Sequence, residues 1–181
     1  MEVRFLGKRM EVLLSEETLQ ARVAELGAQI TRDYADRETA LVLLVVLKGS
    51  VPFAADLMRH IDLPVELECM GLSSYGSSTE TSGVVRVTLD LSKPVAGKDV
   101  LVIEDIIDTG LTMEYLISNL QTRKPASLKV CTLLTKPSRA RVEVPADYVG
   151  FSIEDHFVIG YGLDYDQKYR NLRYIGYMVD E

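Results

Sequence analysis

The sequence predicts an α/β domain with a mainly parallel central sheet flanked by helices. Two runs, Leu41–Leu47 and residues 100–103, are apolar without interruption and rich in β-branched side chains, as strands buried on both faces of a parallel sheet usually are. A turn and a helical pattern follow each run, and Pro52 opens the first of these helices. In the second helix apolar residues recur on one face: Met113, Leu116, Ile117 and Leu120. Strands that alternate with helices in this way form a parallel sheet with helices packed on it.

Length, composition and charge limit the class of protein. The 181 residues predict a single domain with a sizeable core, and a net charge of −7 argues against a nucleic-acid surface. No apolar run reaches the length of a membrane span, and the N-terminus lacks the apolar core of a signal peptide. Cys69 and Cys131 fall in predicted strands, where buried thiols are expected rather than a disulfide. We therefore expect a cytoplasmic protein without nucleic-acid or membrane partners.

The remaining elements follow the same alternation. Ser15 is a good N-cap for a helix with Glu16 and Glu17 in its first turn. Further strands are predicted at residues 65–72, 84–89, 128–135, 147–152, 157–161 and 173–178. Between the first two of these strands lies a polar loop, residues 73–83, which is either a lid or a disordered segment. Its aromatic residue, Tyr75, favours a lid, because an aromatic side chain in such a loop usually covers something.

The turn predicted at residues 104–112 has the residue types of a phosphate site. The free N–H groups and positive dipole of a helix N-terminus suit an anion, and Thr109, Gly110 and Thr112 add small donors and a close backbone approach. Glu104 and Asp105 would repel a bare anion unless they hold a cation or accept from sugar hydroxyls. A phosphorylated ribose with bound Mg²⁺ meets all of these requirements.

A simpler interpretation of this turn is possible. Asp108 or Thr109 could cap the helix, and Glu104 could be a solvated loop acid. Three acids and two threonines within nine residues favour the ligand site over this interpretation.

Residues 102–110, Val-Ile-Glu-Asp-Ile-Ile-Asp-Thr-Gly, resemble the phosphoribosyl-pyrophosphate signature of the type I phosphoribosyltransferases. The Ile-Ile-Asp-Thr-Gly part is similar to the hypoxanthine-guanine phosphoribosyltransferases in particular. Leu47-Lys48-Gly49-Ser50, which by itself could be a tight turn with a surface lysine, resembles the pyrophosphate loop of that family. The resemblance implies a cis peptide bond between Leu47 and Lys48.

The resemblance extends from about residue 41 to residue 173 and implies roles for further residues. Lys136 corresponds to the lysine that holds the 6-oxo group of the purine, and Arg170 to an arginine that contacts pyrophosphate. In the segment of residues 157–165, Phe157 would stack on the base, the Val158 backbone would contact its edge, and Asp164 would hold a metal. The flexible catalytic loop of the family, its lid, matches Ser74 and Tyr75.

The implied reaction is the Mg²⁺-dependent transfer of 5-phosphoribose from phosphoribosyl pyrophosphate to hypoxanthine and/or guanine. Glu104 and Asp105 would hold the ribose diol and metal, and Asp108 would act as general base or proton acceptor at purine N7. Backbone amides of residues 108–112 would hold the 5-phosphate; Leu111, where several relatives carry a polar or basic residue, would still contribute its N–H.

The resemblance also implies an overall arrangement. The fold would be that of a type I phosphoribosyltransferase, with a core at about residues 36–150 and a small hood from residues 1–14 and 151–181. A flexible β-arm would form the lid. The chain would assemble into a homo-oligomer, either a dimer or a tetramer. Three alternatives are a xanthine-preferring enzyme, an enzyme acting on a pyrimidine, and a non-catalytic nucleotide-sensing regulator on the same fold. The acidic balance counts against a regulator that binds nucleic acid, and the segment of residues 157–164 counts against pyrimidines.

Overall fold

The computed structural model describes residues 3–5, 8–74 and 85–179, which form two sheets and three α-helices. In chain order the elements are β1 Val3–Phe5, β2 Lys8–Leu14, α1 Glu16–Asp33, β3 Leu41–Leu47, α2 Val51–Arg59, β4 Val65–Ser74, β5 Val85–Leu89, β6 Asp99–Ile107, α3 Leu111–Gln121, β7 Ser127–Thr135, β8 Tyr148–Ser152, β9 Val158–Ile159 and β10 Ile175–Val179.

The larger sheet has six strands in the order β5-β4-β3-β6-β7-β8. All of its neighbouring pairs are parallel except β4 and β5, which are antiparallel. This arrangement confirms the predicted α/β class with a mainly parallel sheet. The parallel strands end at the same edge of the sheet, so the segments after β3, β6 and β7 meet there.

The central strands are buried on both faces because helices cover both sides of the sheet. Leu43 and Val45 of β3 belong to a core cluster shared with α1 and α2, whereas Val42 and Leu44 belong to a cluster shared with α3. Complete burial of each such side chain contributes about 1.5–3 kcal/mol. This packing fixes the strand ends from which the site residues project.

A second sheet of four antiparallel strands, in the order β1-β2-β10-β9, joins the two ends of the described chain. Its own small core contains Met10, Ile159 and Tyr169. The division into a core at about residues 36–150 and a hood at residues 1–14 and 151–181 remains a prediction.

The turn predicted at residues 104–112 is shorter in the structure than expected. Strand β6 continues to Ile107, although residues 104–107 were expected to begin the turn, because Glu104 and Ile106 pair with Thr132 and Leu134 of β7. The connection to α3 is therefore only Asp108, Thr109 and Gly110 long.

Three smaller findings complete the fold. Both cysteines are free, as predicted, with Cys131 buried and Cys69 partly buried. No helix in the described ranges has the length and apolar character needed to cross a membrane. The lid prediction falls on Ser74, the last residue of β4, and on Tyr75; Tyr75 and the side chain of Ser74 lie outside the described residues.

Candidate active site

Three predicted site residues come together at the carboxyl edge of the larger sheet. Lys48 follows β3, Glu104 lies near the end of β6, and Lys136 follows β7. A cavity of about 320 Å³, open to solvent, lies beside β6 and the start of α3, and its lining includes Glu104, Asp108 and Thr112. This is the edge at which open α/β sheets bind ligands.

The N-terminus of α3 is free for an anion. Gly110 is the N-cap residue, has φ +84°, and makes no capping bond through a side chain, so neither Asp108 nor Thr109 caps the helix. A Cβ atom at Gly110 would lie 2.8 Å from the Val142 carbonyl oxygen, which restricts this position to glycine. The simple capping interpretation is therefore wrong. Gly110 and Thr112 line the cavity at the start of α3, where the helix has no side-chain acceptor from its cap residue.

Glu104 and Asp105 form a pair of crowded carboxylates. Ser50 Oγ, which is fully buried, and the Asp105 N–H donate to Glu104 Oε1 over 3.3 and 3.1 Å. Burial, and then the charge of Asp105, raises the pKa of Glu104 well above its usual range, and burial also raises the pKa of Asp105. A bound cation would relieve this repulsion, so the pair fits a divalent metal.

The metal would need ligands from elsewhere. Within the described residues no cluster of three or more His, Cys, Asp or Glu side chains is placed to hold a metal ion. Magnesium commonly takes one or two carboxylates together with substrate oxygens and water, and Glu104 and Asp105 match that pattern.

The Lys48-Gly49 loop lies directly against these acids. A Cβ atom at Gly49 would overlap the Asp105 carboxylate, and one at Gly162 would overlap the Gly49 carbonyl oxygen. The loop after β3 is therefore held closely between β6 and the segment after β9. The Leu47–Lys48 peptide bond is cis, as the resemblance implied.

Arg170 links the predicted pyrophosphate and metal residues. Its Nη2 forms a 2.8 Å ion pair with Asp164 Oδ1, and its Nη1 donates over 2.7 Å to the Gly162 carbonyl oxygen. Gln167 Oε1 accepts from Arg170 over 3.3 Å and from Lys48 Nζ over 3.4 Å. Sequence reasoning missed Gln167, since no motif marks a glutamine that bridges two cations brought together only by the fold.

The predicted base-binding residues lie directly after β7 and at the start of β9. The Lys136 residue is only 8% exposed, and Val158 is also buried. Phe157 is 60% exposed, and its ring meets that of Tyr165 edge to face, with centroids 5.8 Å apart. The exposed ring suits stacking against a planar base, while the buried lysine supplies a fixed donor.

Asp108 and Lys136 are connected by two residues that sequence reasoning did not identify. Arg139 Nε pairs with Asp108 Oδ1 over 2.9 Å, and Arg139 Nη1 pairs with Asp155 Oδ2 over 3.5 Å. Lys136 Nζ pairs with the other oxygen, Asp155 Oδ1, over 3.3 Å. The bond to Asp108, followed by the charges of Asp108 and Asp155, raises the pKa of the Arg139 guanidinium. Two cations and two carboxylates thus form one chain from Asp108 to Lys136.

The predicted site residues therefore form two neighbouring groups. The glycine contacts and the ion pair described above connect the loop after β3 with Asp105, Asp164 and Arg170. The Arg139 and Asp155 bridge connects Asp108 with Lys136. Asp108, Thr109 and Gly110 form the short turn into α3, and Leu111 and Thr112 are the first two residues of that helix.

Comparisons with known proteins agree with this geometry. The sequence model of the family described as "Phosphoribosyl transferase domain" matches residues 11–166. Hypoxanthine phosphoribosyltransferase of Haemophilus influenzae is 54% identical over 173 residues, covering 95% of this chain and 97% of that protein. Hypoxanthine-guanine phosphoribosyltransferase of Bacillus subtilis is 52% identical over 166 residues, covering 92% of this chain and 91% of that protein.

The fold is similar as well. A crystal structure of a hypoxanthine-guanine phosphoribosyltransferase from Bacillus anthracis superposes with a TM-score of 0.88 at 48% identity, covering 93% of this chain and 98% of that one. Because these matches span most of the chain at about half identity, the chain belongs to the phosphoribosyltransferase family.

Proposed function

We propose that this chain is a purine-salvage enzyme that transfers 5-phosphoribose from phosphoribosyl pyrophosphate to hypoxanthine and/or guanine, giving IMP or GMP and pyrophosphate. The single observation that carries the proposal is the uncapped start of α3 directly after two buried carboxylates, Glu104 and Asp105. The names of the relatives favour hypoxanthine and guanine over xanthine, a pyrimidine or a non-catalytic role.

The phosphoribosyl group would lie along the end of β6. Backbone N–H groups of residues 109–112 hold the 5-phosphate at the start of α3, where the helix dipole favours negative charge. Glu104 and Asp105 accept from the ribose hydroxyls and contribute ligands to Mg²⁺. The bound ion supplies positive charge that neutralises the pyrophosphate as it leaves.

Lys48 and Arg170 would hold the leaving pyrophosphate from the opposite side. Both already point to a shared acceptor, Gln167 Oε1, so their charges converge on one place. Arg170 also pairs with Asp164, which the proposal assigns to a metal on the far side of the base. Positive charge at this place stabilises the pyrophosphate more as the bond to ribose C1 breaks.

The purine would bind between Phe157 and the ends of β6 and β7. The exposed Phe157 ring stacks on the base, and the Val158 backbone meets its edge. Lys136 donates to the oxygen at purine C6, since an ammonium has no lone pair with which to accept. Asp108 receives the proton from purine N7 as N9 bonds to ribose C1.

Product formation tests the proposal directly. The purified chain, with phosphoribosyl pyrophosphate, Mg²⁺ and either hypoxanthine or guanine, is expected to form the nucleotide and pyrophosphate in equal amounts. Chelation of divalent metal with EDTA is expected to stop the formation of both products. Absence of nucleotide with either base under saturating conditions would contradict the proposal.

Sedimentation would show whether the enzyme is a dimer or a tetramer, as we propose from the resemblance, and fractionation would test its cytoplasmic location.

A further inference from the structure

Arg139 and Asp155 form ion pairs with Asp108 and Lys136, the two side chains to which the proposed reaction assigns the proton transfer and the purine oxygen. Arg139 holds Asp108 Oδ1 at 2.9 Å, and Asp155 holds Lys136 Nζ at 3.3 Å. A guanidinium on one oxygen of a carboxylate stabilises its negative charge and so opposes transfer of a proton to it. A carboxylate beside an ammonium likewise competes with the purine oxygen for that ammonium, although it occupies only one of the three N–H donors. Breaking both contacts when the base binds would therefore favour both roles.

The geometry offers a way to break both contacts together. The two oxygens of Asp155 are divided between the two cations, with Oδ1 on Lys136 and Oδ2 on Arg139. If Lys136 leaves Asp155 for the purine oxygen, Asp155 keeps only one cation partner. Arg139 is already 3.5 Å away and is the cation that can compensate this charge.

We propose that Arg139 and Asp155 are positioning residues that couple recognition of the purine oxygen to release of Asp108. Binding of the 6-oxo group draws Lys136 away from Asp155, Asp155 then takes the whole guanidinium of Arg139, and Asp108 is freed to accept the N7 proton. No covalent bond changes in this exchange, and the two positive and two negative charges stay balanced. The inference rests on the proposed function, since it assigns roles within the same reaction.

The solvent exposure of the ion-paired side chains favours an exchange of partners over a fixed structural role. The side chains of Asp108, Arg139 and Asp155 are 40%, 44% and 50% exposed, respectively. Ion pairs this exposed typically contribute a factor of about five or less, so a bound base can rearrange them readily. Lys136, in contrast, is 9% exposed in its side chain, and a buried ammonium strongly prefers to have a partner at each stage.

The position of Asp155 in the chain strengthens the coupling. Asp155 lies two residues before Phe157, in the loop between β8 and β9. A base that stacks on Phe157 therefore contacts the loop that carries Asp155. Lys136 is the N-cap of the 3₁₀ turn Pro137–Arg139 and Arg139 is its last residue, so the two residues are linked through a short stretch of backbone.

Two variants and their combination test the exchange. Single-turnover rates of IMP formation, with enzyme in excess over hypoxanthine, report the chemical step even where product release limits kcat. Asp155→Asn leaves Arg139 without another acceptor, so the rate is expected to fall by about threefold to fivefold. The Michaelis constant for hypoxanthine is expected not to rise, because Lys136 has lost a competing carboxylate.

Arg139→Gln frees Asp108 directly, so it is expected to lose less of the rate than Asp155→Asn does. The combined variant Arg139→Gln with Asp155→Asn is then expected to recover the rate lost in Asp155→Asn alone. This recovery distinguishes the exchange from a structural role of Asp155, in which the two losses would multiply. Asp155→Glu, which keeps the carboxylate, is expected to keep most of the rate.

Controls separate this inference from the proposed function. Glu154→Gln removes an acid from the neighbouring position in the same loop, and Arg141→Gln removes a cation close to Arg139; both are expected to keep the unmutated rate. An unchanged rate in Asp155→Asn, or a combined variant as slow as Asp155→Asn, would overturn the exchange. Failure of the proposed function would appear differently, as absence of IMP formation by the unmutated chain.

Discussion

Replacing Glu104 by glutamine is expected to stabilise the ligand-free protein while weakening substrate binding. Glu104 is 8% exposed, lies beside a second carboxylate, and accepts from Ser50 Oγ and the Asp105 N–H. Burying an ion costs several kcal/mol, and hydrogen bonds from two neutral donors offset only part of this. We estimate a net gain of about 1–2 kcal/mol for Glu104→Gln at about pH 8, or about 2–8 °C in Tm for a domain of this size.

The stability difference between Glu104→Gln and the unmutated chain is expected to increase with pH. Burial raises the pKa of Glu104 in the folded state, so the unfolded chain releases this proton first as the pH increases. The folded state of the unmutated chain therefore loses stability between the ordinary pKa of glutamate and the raised value. The advantage of Glu104→Gln is expected to be largest at about pH 8 and to shrink towards zero near about pH 4.5.

Thermal unfolding followed by circular dichroism measures this effect. Glu38→Gln, at an exposed acid, serves as the matched control and is expected to change stability by less than about 0.5 kcal/mol. With saturating Mg²⁺ and phosphoribosyl pyrophosphate the unmutated chain should become the more stable of the two. Ligand at about 100 times its Kd adds about 2.7 kcal/mol to the free energy of unfolding of the unmutated chain. A ligand-free Glu104→Gln protein with an unchanged or lower Tm at about pH 8 would refute this reasoning.

Other substitutions test the remaining groups. Asp108→Asn should keep the fold and phosphoribosyl-pyrophosphate binding but lower kcat by roughly a hundredfold, and an unchanged kcat would remove Asp108 from the mechanism. Gly49→Ala places a Cβ atom against the Asp105 carboxylate and should lower kcat/KM by roughly a hundredfold, whereas near-normal activity would contradict the tight loop. Lys136→Ala should raise the Michaelis constant for hypoxanthine and narrow the preference over adenine; an unaltered preference would exclude Lys136 from base selection.

The sequence predicted the parallel sheet and the phosphate turn because both depend on local patterns. Uninterrupted apolar runs predict buried strands, and small hydroxyl residues around Gly110 predict a phosphate-binding turn. The boundary of β6 was wrong because acids such as Glu104 and Asp105 are poor strand formers, so they suggested a turn. In the structure, pairing with β7 outweighs that preference and extends the strand to Ile107.

The charge chain from Asp108 to Lys136 could not be predicted from the sequence. Arg139 and Asp155 belong to no motif, and each alone resembles an ordinary surface residue. They meet because β7 and β8 pair in parallel, which brings the segments after both strands to the same edge of the sheet. Gln167 was missed for the same reason, since its partner Lys48 is distant in sequence. Ser50 belonged to the predicted pyrophosphate loop, but its hydrogen bond to Glu104 was not predicted.

The specificity constants for hypoxanthine and adenine, measured with saturating phosphoribosyl pyrophosphate and Mg²⁺, test the central claim most directly. Hypoxanthine presents an oxygen to the buried Lys136 ammonium, whereas adenine presents an amino group and leaves that charge unpaired. Mismatches of this kind can cost a factor on the order of ten thousand, so we predict efficient use of hypoxanthine and almost none of adenine. Comparable specificity constants for the two bases would contradict the role of Lys136 and, with it, the assignment of this site to 6-oxopurines.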